Sequence, residues 1–238
     1  MELSIALALA AALVLLGQWL TRRASRRHRQ AITRLEGATL LRTLELLQTL
    51  QKHRGLGAQQ DIVSVSQRNA LARQLDQLWL NWPGPSLQLA PLQQDWPRLR
   101  RNPADFGAHG RMIEALLAVV AQLEARLCLH DTPELQGLEP ACRNLEELAR
   151  LRGLAVRAAN YSRCPAGLHM QIRTLCQRLG NAAQGEPLRS LLQRLEVELL
   201  EASPVRLAPH DCFSLITPLI DAHLHDLQHA LKMRITSI

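Results

Sequence analysis

The sequence predicts an all-α protein made of up-and-down helical bundles. Aromatic residues make up only 3% of the 238 residues, while leucine, alanine, glutamine and arginine, which favour helices over strands, are abundant. Apolar residues recur every three or four positions over long stretches, as on the buried face of a helix. Because 47% of the chain is apolar, it can form a real core. We expect two stacked bundles with about seven soluble helices, preceded by a transmembrane helix.

The first element is the predicted membrane anchor. Residues 3–20 carry no charge, and their length lies at the short end of the range that spans a bilayer. A cleaved signal peptide is the alternative, but no Lys or Arg precedes the apolar run and no small-x-small cleavage site follows it. We predict an anchor over residues 1–21 and a basic juxtamembrane segment over 22–30, which contains Arg22, Arg23, Arg26, Arg27 and Arg29.

These arginines also predict the location of the chain. Positive residues flank the cytoplasmic side of membrane spans, so we expect a single-pass protein of the inner (cytoplasmic) membrane with its soluble domain in the cytoplasm. The five cysteines form no CxxC motif and are typical of reduced thiols. The net charge of +7 falls to +2 without the five juxtamembrane arginines. A nearly neutral domain argues against nucleic acid as a partner, so an RNA-binding regulator is the weakest hypothesis.

The remaining elements form a helical domain over residues 31–238, with halves of about 31–108 and 109–238. Residues 83–108 contain five prolines and no sustained period, so we expect an irregular connection there that packs through Leu92 and Trp96. Proline and glycine in "WPGPS" end the helix before this connection. The predicted helices cover about 31–60, 65–82, 109–129, 133–161, 165–180, 187–202 and 209–232.

Two arginines interrupt the apolar face of these helices. Arg54 follows Leu47 and Leu50 on one helix face, and 98 residues later Arg152 occupies the same place in a similar stripe. A glycine follows each arginine, which suggests close approach by another helix or by a ligand. Because burying a lone guanidinium is costly, each must reach solvent, pair with a carboxylate such as Asp76 or Glu147, or face a bound anion.

No other pattern predicts a catalytic or metal site. His225 and His229 have the i, i+4 spacing of metal ligands, and His210 and Cys212 lie near the start of the same helix. No HExxH motif accompanies them, and histidines on a solvated helix face are common. The chain also lacks a glycine-rich phosphate loop and a nucleophile elbow. We therefore expect no enzyme, no cofactor and no metal.

Four segments resemble a known family. "LQKHRGLGAQQ" followed by "RQLD", then "LARLRGLAV" and "CFSLITPLIDAHLHDL", are similar to the nitrate- and nitrite-sensing NIT domain of bacterial antiterminators, chemoreceptors and membrane sensor proteins. The resemblance covers about residues 31–232. The chain departs from the family pattern at three positions: His53 replaces a glutamate, Leu75 a threonine, and Cys212 an aromatic residue.

The resemblance implies two helical bundles whose arginines bind nitrate or nitrite. Arg54 and Arg152 match the Arg-Gly elements and Arg73 matches the second-helix motif, while Arg173 is added from the internal repeat and His53 as a neighbour. We expect a membrane-anchored sensor that signals by helix rearrangement. A homodimer is compatible with this interpretation. The chain ends soon after its last helix, so we expect a separate output protein. The alternative is a helical scaffold or interaction protein that binds no ligand and holds both arginines in internal salt bridges.

Overall fold

The all-α prediction is confirmed. The computed structural model describes residues 2–129, 135–182 and 185–236, with side chains described for 15–84, 86–129, 135–181 and 185–233, and the described residues contain helices but no strands. The described residues form eight α-helices: α1 (Glu2–Leu56), α2 (Ile62–Leu80), α3 (Trp96–Arg101), α4 (Phe106–Leu129), α5 (Leu138–Ala158), α6 (Ala166–Ala182), α7 (Glu186–Leu195) and α8 (Pro209–Thr236). A π-helical turn, Glu196–Leu200, extends α7.

Helix α1 is continuous from the predicted anchor into the core. Its 55 residues span about 80 Å at 1.5 Å per residue. Every side chain from 15 to 31 is exposed, whereas Leu40, Leu44, Leu47 and Leu50 are buried. Within the described part of the chain, no helix is both long and apolar enough to cross a bilayer. Side chains 2–14, which form most of the predicted span, lie outside the described ones, so the anchor stays a prediction.

The proline-rich connection is folded against the core. It contains two short 3₁₀ turns, Gly84–Leu87 and Leu92–Gln94, before α3. Leu92 and Trp96 are both buried, which confirms the prediction that the connection packs through them. The Trp96 indole donates a hydrogen bond to Asp76 on α2 (2.8 Å), and its ring meets the edge of His53 on α1. The connection therefore brings the chain back toward the end of α1.

This return sets the direction of the helices that follow. Arg126 of α4 lies beside Glu36 of α1, while His109 at the other end of α4 bonds His53, so α1 and α4 are antiparallel. Helix α5 runs parallel to α1, because Gln51 of α1 bonds Glu146 and Gly55 lies against Arg152 further along both helices.

The core consists of two clusters of buried residues that share α5. The first joins α1, α2, the proline-rich connection and α4 to Leu138 and Cys142 at the start of α5 and to Leu231 near the end of α8. The second joins the rest of α5, from Leu145 onward, to α6, α7 and the earlier part of α8. The clusters thus share α5 and α8, and the sequence-based division at residue 108 stays a prediction.

Candidate functional site

Arg54 is buried and paired with a carboxylate. Its guanidinium is near the C-terminal end of α1 and donates two hydrogen bonds to Glu146 of α5, from Nη1 to Oε1 (2.6 Å) and from Nη2 to Oε2 (3.0 Å). Gln51 donates a further hydrogen bond to Glu146. A bidentate pair of this kind offsets much of the cost of burying both charges. Arg54 is therefore a salt-bridged core arginine.

Arg152 is buried without an ion pair. Its residue exposure is 0%, its Nη1 donates to the Thr217 hydroxyl (2.9 Å), and the ring of Phe213 lies 4.7 Å from its Cζ. No described group hydrogen-bonds its Nε or Nη2. Burial, and then the nearby Arg54, lowers the pKa of Arg152 to about 10, which still leaves it charged at neutral pH. The described residues thus supply this cation with one hydrogen bond and one aromatic face.

The two atoms without a partner lie on the same edge of the guanidinium. Nε–H and one N–H of Nη2 point in parallel, so together they form a fork for two oxygens of one planar anion. Gly55 of α1 faces this edge, since a Cβ at that position would lie 3.3 Å from Nε of Arg152. A carboxylate, nitrate or nitrite has the two-oxygen edge that matches the fork.

The glycines after the two arginines make room for aromatic rings. The only two phenylalanines of the chain each stack on a core arginine, Phe106 on Arg54 (4.9 Å) and Phe213 on Arg152, and Phe106 also lies near Arg157 (5.4 Å). Each ring also presses on the glycine that follows the other arginine. A Cβ on Gly153 would lie 2.6 Å from the Phe106 ring, and one on Gly55 would lie 3.0 Å from the Phe213 ring. The close approach expected from the sequence is made by these rings.

The local charge balance favours an anion. Asp221 of α8 accepts hydrogen bonds from Gln48 (2.9 Å) and Lys52 (3.1 Å) of α1, and like Glu146 it raises the pKa of Arg152. Three cations, Lys52, Arg54 and Arg152, thus face two carboxylates. One positive charge is left uncompensated among these five groups.

His53 belongs to a buried hydrogen-bonded chain beside Arg54. Its Nδ1 lies 2.9 Å from Nε2 of His109, whose own Nδ1 lies 2.7 Å from the Asp105 carbonyl. A carbonyl only accepts, so His109 carries its proton on Nδ1, and neutral His109 then accepts from His53. Burial, and then His109 and Arg68, lower the pKa of His53 to about 3. Burial likewise lowers the pKa of His109. Both rings are neutral at pH 7 and His53 adds no positive charge to the site.

Phe213 separates Arg152 from the surface. The ring lines a groove of about 350 Å³ that we call the Thr217 groove, which is bordered by Lys52, Leu56, Gln67, Ala70, Leu71, Gln74, Phe213 and Thr217. It also lines a larger groove of about 820 Å³ where α1 ends and α8 begins. Phe213 is only half-buried. The ring thus contacts Arg152 and lines both grooves.

The other sequence-predicted residues lie apart from this cluster. Arg73 is exposed on α2, and Arg173 forms an ion pair with Glu196 (2.8 Å) at the surface. The carboxylates considered as partners of the core arginines pair elsewhere, Asp76 with Arg100 and Glu147 with Arg178.

Sequence reasoning missed several residues of the site: Gln48, Phe106, His109, Glu146, Phe213 and Thr217. Two signals were available. The two phenylalanines are 107 residues apart, close to the 98-residue offset of the arginines. Glu146 lies on the leucine-rich segment that carries Arg152, six residues before it. The stacked rings and the crossed pairing depend on which helices lie side by side, which single-helix periodicity does not encode.

The histidines of α8 lie near one another outside any metal-binding cluster. The ring centroids of His225 and His229 are 6.4 Å apart. Across 2–129, 135–182 and 185–236, no group of three or more His, Cys, Asp or Glu side chains could hold a metal ion.

Comparisons with protein families, with curated proteins and with solved structures find no match to the chain.

Proposed function

We propose that the chain is a sensor domain that binds nitrate, nitrite or a similar planar oxyanion at Arg152. The observation that carries the proposal is that Nε and Nη2 of a fully buried guanidinium have no hydrogen-bond partner among the described residues. A buried cation with no carboxylate costs several kcal/mol, on the order of the amount that a bound anion can return. The sequence resemblance to the NIT domain points to the same class of ligand.

The path of the anion leads through the Thr217 groove. Thr217 lines this groove and also accepts the hydrogen bond of Arg152, so the groove ends one side chain away from the cation. Lys52 lines the same groove, where it pairs with Asp221. Movement of Phe213 from Gly55 would then let two oxygens reach the fork, with Thr217 as a further polar contact.

Signalling follows from the position of the site between helices. An anion at Arg152 of α5 would replace the contact between the Phe213 ring of α8 and Gly55 of α1, so these three helices would shift relative to one another. A shift of α1 extends along a single helix to its exposed N-terminal part. Two packings that differ by a few kcal/mol suffice for such a switch.

The cellular setting is part of the proposal. In our interpretation residues 3–20 anchor the chain in the inner membrane, the five juxtamembrane arginines keep the helical domain in the cytoplasm, and the two core clusters are two stacked bundles. The signal passes to a separate output protein, and the exposed part of α1 is the segment through which a homodimer would form. No catalytic step is proposed.

The second candidate function is a scaffold without a ligand. The bidentate pair between Arg54 and Glu146 favours it, because one of the two core arginines already has an internal partner. Under this hypothesis Arg152 is stabilised by Thr217 and Phe213 alone, and no anion binds.

The thermal midpoint distinguishes the two functions. We expect nitrate or nitrite, but not chloride at matched ionic strength, to raise the midpoint of residues 31–238 saturably. At about 100 times the dissociation constant the rise would be about 5–10 °C. Arg152→Met should remove it, whereas Arg173→Met, a surface control, should not. No anion-specific rise in the unmodified domain would support the scaffold.

A further inference from the structure

The two arginine sites are related by the internal repeat. A shift of 98 residues carries Arg54 and Gly55 of α1 onto Arg152 and Gly153 of α5. The aromatic contacts follow the same relation, since each arginine has a phenylalanine at the start of an antiparallel helix stacked on it. The structure therefore contains two versions of one site.

The relation also assigns an equivalent to the carboxylate that Arg54 uses. Helices α1 and α5 run parallel, because Gln51 meets Glu146 near one end of the contact and Gly55 faces Arg152 further along. In a parallel pair, the operation that carries Arg54 onto Arg152 carries Glu146 of α5 onto residue 48 of α1. Residue 48 is glutamine. The two sites thus differ at the position that neutralises the guanidinium.

The surroundings of Gln48 explain the difference. Its amide donates to Asp221, which also pairs with Lys52. A carboxylate at residue 48 would stand beside that of Asp221, and like charges in contact repel. Gln48 satisfies Asp221 and leaves Arg152 without a carboxylate partner.

We propose that Glu146 is a built-in anion that occupies a latent anion site at Arg54, and that Gln48 keeps the equivalent site at Arg152 open for an external anion. That Arg152 takes a free anion rests on the proposed function. The latent site at Arg54 does not, because its occupant is present in the chain. Residues 48 and 146 therefore determine which arginine is available to a ligand.

Moving a carboxylate to residue 48 tests the open site. The double variant Gln48→Glu, Asp221→Asn preserves net charge. The amide introduced at residue 221 can donate a hydrogen bond to the carboxylate introduced at residue 48, which reverses the direction of the present bond. The new carboxylate also lies one helical turn before Lys52, a spacing that favours an ion pair between them. In chloride, we expect the thermal midpoint of the double variant to be at least as high as that of Asp221→Asn alone. We also expect the double variant to lose the rise in midpoint that nitrate causes in the unmodified domain. Asp221→Asn alone should keep that rise or enlarge it, because it removes a carboxylate near Arg152.

Removing the built-in anion tests the latent site. In an Arg152→Met background, which leaves only Arg54, Glu146→Ala should lower the thermal midpoint in chloride. Formate or nitrate at matched ionic strength should restore about 5 °C or more of that loss at saturation. Glu147→Ala in the same background is the matched control, because Glu147 pairs with Arg178 near the surface, and it should show no anion-specific recovery.

The outcomes separate this inference from the function on which it builds. If the unmodified domain ignores nitrate while the Glu146→Ala variant is rescued, the sensor function fails and the latent site stands. If the unmodified domain binds nitrate but the Gln48→Glu, Asp221→Asn variant binds it equally well, the assignment of residue 48 is overturned. Absence of rescue in a folded Glu146→Ala variant would overturn the latent site, and so would failure of that variant to fold even in saturating formate or nitrate.

Discussion

At the scale of single residues, Arg54 and Arg152 show how partners decide the cost of a buried charge. Both lie on leucine-rich stripes and both are at most 3% exposed. Arg54 has a carboxylate in bidentate contact, whereas Arg152 has a hydroxyl and a ring. Their contributions to stability should therefore differ in sign when no ligand is present.

Substitution by methionine, of similar length and without charge, tests this difference. Arg54→Met leaves Glu146 buried with only Gln51 as a donor, so we expect the free energy of unfolding to fall by about 3–5 kcal/mol. Arg152→Met removes an uncompensated charge, and in chloride buffer it should be neutral or stabilising by about 1 kcal/mol or more. Urea unfolding of both variants measures this. Equal destabilisation by the two would show that Arg152 has an internal partner.

The buried pair His53 and His109 makes stability depend on pH. Both folded pKa values lie below the unfolded value of 6.5, and that of His53 is about 3, so between about pH 3 and 6.5 the unfolded chain binds more protons at His53. His109 acts in the same direction. The two histidines make their full contribution to the free energy of unfolding above pH 6.5. As the pH falls, each histidine lowers this free energy by up to about 1.4 kcal/mol per pH unit.

Replacement of one ring measures that contribution. His53→Gln keeps a donor for His109 but does not titrate, so the fall in unfolding free energy between pH 7 and pH 5 should be shallower than in the unmodified domain. His223→Gln, on an exposed position of α8, is the control and should leave the slope unchanged. An unchanged slope in His53→Gln would mean that folding does not lower the pKa of His53.

Residue patterns predicted part of this arrangement. The leucine stripe placed Arg54 and Arg152 inside the protein because helical periodicity depends only on neighbours along the chain. The same reasoning named Asp76 and Glu147 as partners, whereas the structure uses Glu146, since pairing across helices depends on their relative rotation and direction. The neutral His53–His109 pair likewise arises from a fold contact between residues 56 positions apart.

At the scale of elements, the glycines set how closely helices and rings approach. Gly153 lies mid-helix in α5, where glycine costs about 1 kcal/mol relative to alanine. The Phe106 ring at the start of α4 occupies the space that a methyl group would need. The gain in close packing around Arg54 offsets this cost.

Alanine substitution of two helical glycines separates the effect of helix propensity on stability from the effect of close packing. Gly153→Ala should be destabilising, because its Cβ would lie 2.6 Å from the Phe106 ring and the ring would have to move away from Arg54. Gly110→Ala in α4 meets nothing within 4 Å and should be stabilising by about 0.5–1 kcal/mol. Thermal unfolding compares the two. A stabilised Gly153→Ala would refute the close contact.

The helices themselves were largely predictable, and their arrangement was not. The predicted segment 65–82 corresponds to α2 and 109–129 to α4, because apolar period and proline boundaries are local signals. The parallel direction of α1 and α5 depends on the proline-rich connection, whose path is fixed by Trp96 packing against His53 and Asp76. No periodic pattern in that segment indicates such contacts.

At the scale of the whole molecule, α5 links the two core clusters. Its first turns pack in one cluster and the rest in the other. If α5 unfolded from one cluster, buried apolar residues of the other cluster would become exposed to water. We therefore expect a single unfolding transition by calorimetry. Two resolved transitions would show that the clusters are independent domains. The same continuity would let an anion near the second cluster change the position of α1.

The most direct test of an anion site at Arg152 follows the arginine side chains during an anion titration. Buried N–H groups exchange slowly with water, so the Nε–H resonances of Arg54 and Arg152 should be observable by ¹⁵N NMR and assignable from Arg54→Lys and Arg152→Lys. We predict that nitrate, compared with chloride at equal ionic strength, shifts the Arg152 resonance saturably and by far more than that of Arg54. No saturable shift of the Arg152 resonance, or a larger one at Arg54, would contradict that site.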